Sequence, residues 1–174
     1  MKKRILIPIA LTAVLLLVAG PVYATPPEPA SGTWCYTPYI TGMRSAGGNL
    51  FLDAESEDYW TGTFESPEGA GSYTVYGATI HKFVDFTDTG PWYAQGLVTF
   101  VGTVEGKSGT LVMRFLGKRP DATADWSSGK WVILSGTGEL ANLRGQGTWW
   151  GPGAPAPEVQ GCVDYSGNYH FEPQ

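Results

Sequence analysis

The chain is short of the side chains that most enzymes work with. Its 174 residues include two histidines, His81 and His170, and two cysteines, Cys35 and Cys162. A protein zinc site takes three or four ligands. Two isolated histidines with no ligand motif around them do not supply such a set, so no metal and no other cofactor is expected. The serine-hydrolase elbow Gly-x-Ser-x-Gly does not occur. Basic side chains are also few, 11 against 16 acidic ones, which argues against nucleic acid or anionic lipid as a partner. No stretch shows a sustained helical period, and the one long apolar run, Ile5–Ala19, is too short for a comfortable membrane span.

That apolar run has another reading. Lys2, Lys3 and Arg4 precede it, and Gly20-Pro21-Val22-Tyr23-Ala24 follows, with small residues at 22 and 24. This is the pattern of a secretory signal peptide cut after Ala24. Its removal leaves eight basic and 16 acidic side chains, a net charge of −8. The expected location is secreted, periplasmic or cell-envelope, with no membrane-embedded segment after cleavage. Pro26, Pro27 and Pro29 make residues 25–31 a stiff extended leader. Residues 32–174 suit a single domain with one core.

Within that domain the pattern is strand after strand. Trp34-Cys35-Tyr36 opens the first and Asn49–Leu52 the second. Asp53, Glu55, Glu57 and Asp58 then form an acidic knot, read as a solvated turn, with a calcium ion as the alternative. Tyr59–Glu65 alternates, with Trp60 and Phe64 on one face, and Ser66–Gly71 reads as a turn. Ser72–Phe86 is a longer strand. Gly96–Gly106 and Ser108–Gly117 form a hairpin joined near Glu105-Gly106-Lys107. Residues 118–130 form a loop, and Gly161–Phe171 alternates as the last strand. With 24 glycines for corners and bulges, this predicts an antiparallel all-β fold, either barrel or sandwich.

The stretch Trp131–Gly151 runs strand, glycine-rich turn, strand. No Gly-Lys-Ser/Thr follows its glycines and no helix opens after them, so a phosphate cradle fails on context. Ser135-Gly136-Thr137-Gly138-Glu139-Leu140-Ala141-Asn142-Leu143-Arg144-Gly145 resembles a pattern of allene oxide cyclase and dirigent barrels. It is closer still to a bacterial family in that superfamily, domain of unknown function 3224, where a hairpin like Phe100–Thr110 precedes it. The resemblance covers about 96–151 and implies an eight-stranded antiparallel β-barrel, with a β-sandwich as runner-up. It transfers no functional residues.

In an exported chain two cysteines usually pair, and a Cys35–Cys162 disulfide would tie the first strand to the last. The aromatics exceed what one small core needs, so the leading expectation is a binder of a small apolar or aromatic molecule in the barrel lumen. Trp60, Phe64, Phe100, Tyr165 and Tyr169 are the candidate ligand contacts. His170, Asp164 and Asn168 share one strand face, which forms a polar site if it lines the lumen and ordinary surface if it does not. The alternatives are an enzyme of cyclase or isomerase type, and a structural or homo-oligomerising interaction protein without a ligand, whose aromatics are core and interface.

Overall fold

The computed structural model describes residues 26–77, 91–120, 126–153 and 157–173. The expected signal peptide with its cleavage site at Ala24, His81, and residues 78–86 of the expected long strand lie outside these residues. Eight strands follow in chain order: β1 (Glu28–Ala46), β2 (Asn49–Gly62), β3 (Phe64–Gly77), β4 (Trp92–Val104), β5 (Lys107–Arg119), β6 (Ser127–Gly136), β7 (Leu143–Gly153) and β8 (Gly161–Phe171). Each pairs antiparallel with the next, and β1 pairs with β8 from Glu28–Tyr169 to Tyr36–Gly161, so the sheet closes into a barrel. Closure removes both sheet edges and leaves each strand one face to the lumen and one to the outside.

Side-chain alternation determines which residues fill that lumen. In β8, Val163, Tyr165 and Tyr169 are buried while Asp164, Ser166 and Asn168 are exposed. In the β4–β5 hairpin, Val98, Phe100 and Val104 share the inward face with Leu111, Met113 and Phe115, Val98 opposite Met113 and Phe100 opposite Leu111. Its two-residue turn puts Glu105 at φ 53° and Gly106 at φ 75°, the left-handed pair that matches the twist of the strands. Cys35 and Cys162 are register partners on β1 and β8 and form a disulfide, with Cα atoms 4.1 Å apart.

Three boundaries differ from the sequence reading. The acidic knot is strand, not turn: β2 runs through it, with Glu55 and Glu57 exposed, Asp53 half-buried, and Asp58 only 2% exposed. Ser66–Gly71 is strand as well, and the β2–β3 turn falls at Gly62–Phe64. Gly62 sits there at φ 100°, and the Thr63 N–H donates to the Ser31 carbonyl at 2.9 Å. Turn-forming composition misled at both places. A barrel exterior accepts carboxylates in mid-strand, and Pro67 sits where the β3–β4 register slips between Glu65 and Glu68, a bulge that needs no ladder N–H from it. Finally, β1 begins at Glu28, within the proline-rich stretch, and Ala30 is buried against the core.

Candidate functional site at the open end of the barrel

The two ends of the lumen are built differently. The β2–β3, β4–β5 and β6–β7 turns gather at one end, where Leu140 and Leu143 are fully buried. The glycine-rich stretch makes this cap. Gly138 at φ 62° starts a single 3-10 turn, Gly138–Leu140, that drops Leu140 onto β5 beside Gly109. Behind it Phe64 stacks with Tyr165 at 5.4 Å and meets Trp131 edge-on at 5.6 Å, while Trp60 meets Phe100 at 5.5 Å.

The Tyr165 hydroxyl accepts from the Phe64 N–H at 2.9 Å and donates to the Thr61 carbonyl at 3.1 Å. Burial pushes its pKa up to about 12. The Tyr169 hydroxyl bonds Glu105 and Glu28. Trp60, Phe64, Phe100, Tyr165 and Tyr169 are thus brought together as named from the sequence, and they form packed filling. Trp60, Phe64 and Tyr165 line a residual void of about 20 Å³, and Phe100 and Tyr169 do not.

Among the described residues the other end is open. A cavity of about 60 Å³ lies there, walled by Trp34, Tyr36, Tyr73, Trp92, Phe115 and Trp149, with prolines and aliphatic side chains at its rim. Trp149 lies over β6 and β5 because its neighbours there lack side chains. A Cβ at Gly117 would lie 2.3 Å, and one at Gly129 2.5 Å, from the indole. Its Nε1 is buried and makes no hydrogen bond.

One polar cluster stands against this apolar wall. Leu52, Ala54, Ser56, Asp58 and Trp60 share the inward face of β2. The Trp34 Nε1–H and the Ser56 hydroxyl each donate to the Asp58 carboxyl, at Oδ1 and Oδ2 respectively, both at 2.9 Å. Gly71 leaves room for the cluster, since a Cβ there would lie 2.3 Å from Ser56 Oγ and 3.0 Å from Asp58 Oδ2. Burial raises the Asp58 pKa from 3.8 to about 6, against the lowering effect of its Trp34 and Ser56 hydrogen bonds. Burial likewise drives the Tyr73 phenol well above its ordinary value, so Tyr73 keeps its proton.

The Asp58 shift makes stability pH-dependent in a definite direction. Below the unfolded pKa both states carry the proton and the fold has its full stability. As pH rises through the window between the two values, the unfolded chain ionises first, so stability falls, by about 3 kcal/mol for a shift of about two units. Above the folded value the loss is complete. Asp58→Asn is therefore expected to remove this fall and to make the protein more stable than wild type above neutrality. Urea unfolding of both proteins across that range checks it, and parallel stability–pH curves would show that Asp58 is not the titrating group.

The other candidates lie elsewhere. Asp164 and Asn168 point outward on β8 with His170 on the same face, and Asp164 accepts from the Thr33 hydroxyl at 3.1 Å. They belong to the outer surface. Asp53 likewise accepts from Thr74 at 2.7 Å. Among the described residues no three His, Cys, Asp or Glu side chains gather as metal ligands, and no helix is long and apolar enough to cross a membrane. Sequence reading missed Asp58 and Ser56 as an inward-facing pair. The available signal was parity, since Asp58 stands two residues from Trp60.

Fold and site together define a closed, eight-stranded antiparallel β-barrel, filled at one end and open at the other over a buried carboxyl. The chain belongs to the family described as Protein of unknown function (DUF3224), whose profile matches residues 41–150. A crystal structure of a DUF3224 protein of unknown function from Shewanella oneidensis MR-1 aligns with a TM-score of 0.59 and 18% identity, over 85% of this chain and 99% of that one. The pterocarpan synthase dirigent protein GePTS1 aligns with a TM-score of 0.47 and 12% identity, over 88% and 98%. No curated protein matches the sequence significantly.

Proposed function

We propose that the protein is an exported binder of a small apolar or aromatic molecule, seated at the open end of the barrel. The observation that carries this is the aromatic cavity walled by Trp34, Tyr73, Trp92 and Trp149 beside a buried polar cluster. Convergent polar groups in an apolar concavity are the usual form of a small-molecule site. The enclosed volume, about 60 Å³, is well under the roughly 150 Å³ of a cavity that holds benzene. The ligand therefore inserts one end and leaves the rest in the mouth. Export is supported by the Cys35–Cys162 disulfide, a bond that persists in oxidising compartments.

A second reading, an enzyme of cyclase or isomerase type, draws support from one group. Asp58, its pKa raised to about 6, exchanges its proton close to neutral pH, as an acid–base group must. The filled end of the lumen supports the third, a structural role. Native mass spectrometry of protein taken from its own exported fraction separates binder from structural protein. The expected result is a mass excess of one small molecule per chain, lost when the protein is unfolded. An empty chain whose tryptophan emission is also unmoved by added ethylbenzene would overturn the binding reading and favour the structural one.

A further inference from the structure

Charge is divided around the outside of the barrel. Strands β4, β5, β6 and β7 contain no Asp or Glu, and they carry Lys107, Arg114, Lys118, Arg119, Lys130 and Arg144. Asp53, Glu55 and Glu57 project outward from β2, which stands across the ring from β6. Salt screens one face from the other, since the Debye length is about 8 Å at physiological ionic strength. The net negative charge of the chain therefore does not describe the β4–β7 face, which meets a partner as a cationic surface.

The same face holds a row of outward side chains that the strand register lines up. Tyr93 on β4 is opposite Lys118 on β5, Lys118 opposite Ser128 on β6, and Ser128 opposite Trp150 on β7. Leu116, Lys130 and Thr148 form the adjacent row. The two rows line one open groove of about 570 Å³. Trp150 is 59% exposed and Tyr93 52%, and large exposed aromatics that share one groove mark an interaction site. Tyr93 is braced from its other side: it stacks on Tyr76 at 5.6 Å, Tyr76 stacks on Phe51 at 5.5 Å, and the Arg44 guanidinium lies over Phe51 at 4.4 Å. Among the described residues no carboxylate pairs with Lys118 or Lys130. Asp164, beyond Trp150 on β8, is engaged by the Thr33 hydroxyl at 3.1 Å.

The parts of this groove define what it recognises. At an interstrand spacing of about 4.8 Å, Tyr93 and Trp150 stand about 14 Å apart, with two polar side chains between them. The rings are flat apolar platforms, and the ammonium groups are point charges on flexible stems. A pyranose ring has an apolar C–H face that stacks on an aromatic ring, and hydroxyl groups around its edge. A uronic acid adds a carboxylate, and a chain of uronic acids repeats all three features along its length. A bilayer presents a plane instead, and would need the rings at a protruding apex rather than along a strand wall.

We propose that the outer face of β4–β7 docks an acidic polysaccharide, with Tyr93 and Trp150 stacking on sugar rings and Lys118 and Lys130 pairing with uronate carboxylates. Ser128 and Thr148 line the same groove and supply hydroxyls for the sugar edges. None of these residues lines the cavity at the open end, so the inference stands apart from the lumen-binding reading.

Titration calorimetry of the exported protein with oligogalacturonate tests it, beside the neutral galactose oligomer and vesicles of phosphatidylglycerol. Oligogalacturonate should bind at low salt and weaken as salt is raised. The neutral oligomer should bind about threefold to tenfold more weakly, and the vesicles not at all. Trp150→Ala and Tyr93→Ala should each cost about threefold to tenfold. Lys118→Gln with Lys130→Gln should remove most of the salt dependence and of the preference over the neutral oligomer. All four side chains are exposed, so urea midpoints should stay near that of wild type.

Wild type that ignores oligogalacturonate at low salt would overturn the proposal, as would equal binding of the neutral oligomer. Binding of vesicles in place of the oligomer would assign the face to lipid and overturn it too. So would undiminished binding by a folded Tyr93→Ala/Trp150→Ala double variant. Should that variant not fold, the lysine pair decides, and an acidic preference that survives its loss would overturn the proposal.

Discussion

Replacing both Cys35 and Cys162 by alanine is expected to cost about 5 kcal/mol of stability, the loop-closure value in the chain-entropy model for a bond spanning 127 residues. For a domain of this size that corresponds to a fall in Tm of about 10 to 20 °C. The bond lies on the seam where the first strand meets the last, the strand pair farthest apart in sequence. Loss of the crosslink leaves a nine-residue ladder to find its partner across nearly the whole chain, and long-range pairing is what the unfolded state resists most. The ladder itself is intact in the variant, so the barrel should still form. Equilibrium urea unfolding of wild type and double variant, each with and without reductant, measures the effect. Reductant should bring wild type down to the variant and leave the variant unchanged. Equal midpoints in all four samples would mean that the seam is held by the ladder alone.

The sequence carried the local geometry of this fold, and its closure through the family resemblance and the Cys35–Cys162 pair, but not the relation between the two ends of the lumen. β8 was readable to the residue because its alternation is unbroken from Val163 to Phe171, and the β4–β5 hairpin because Glu105-Gly106 interrupts two clean runs. The acidic stretch Asp53–Asp58 was misread for a physical reason. Carboxylates on the outside of a strand and in a turn look alike one residue at a time, and only the parity shared with Leu52 and Trp60 tells them apart. The candidate contacts named from sequence, Trp60 and Phe64 among them, do face the lumen. Which end of the lumen is filled depends on barrel register, a relation among strands that no local pattern contains. Tyr73 and Asp58 are 15 residues apart in sequence and come to neighbouring strands only because β2 and β3 pair, with Ala54 opposite Tyr73 and Ser56 opposite Gly71.

This asymmetry gives each end a separate role. At the closed end, turns, the Leu140 cap and stacked rings leave almost no free volume, so the barrel is rigid there. At the open end the side chains are as aromatic but less tightly enclosed, and Asp58, the one buried carboxyl among the described residues, lies toward this half, walled by Trp34 and Gly71. A barrel filled throughout would have no place for a guest, and one empty throughout would lack the packing that holds Trp34 and Trp149 in position.

Phe64→Ala tests that division most directly. Phe64 is 1% exposed and touches Phe100, Trp131, Tyr165 and Tyr169 ring to ring. Truncating it removes a buried phenyl and leaves a hole whose walls are held by strand pairing on all sides and cannot collapse. The expected loss is about 3 to 5 kcal/mol, with the upper half of the range favoured where relaxation is poor. Trp92→Ala, at the half-buried rim of the open end, removes a larger side chain from a looser place and should cost less, under about 2 kcal/mol. The hole left by Phe64 is apolar and enclosed, so it should stay dry and admit benzene, and saturating benzene should restore part of the lost stability by mass action. Urea unfolding of both variants with and without benzene provides the comparison. Should Trp92→Ala prove the costlier change, or Phe64→Ala lose less than about 1 kcal/mol, the filled and open ends would have to be exchanged and the candidate site moved to the other end of the barrel.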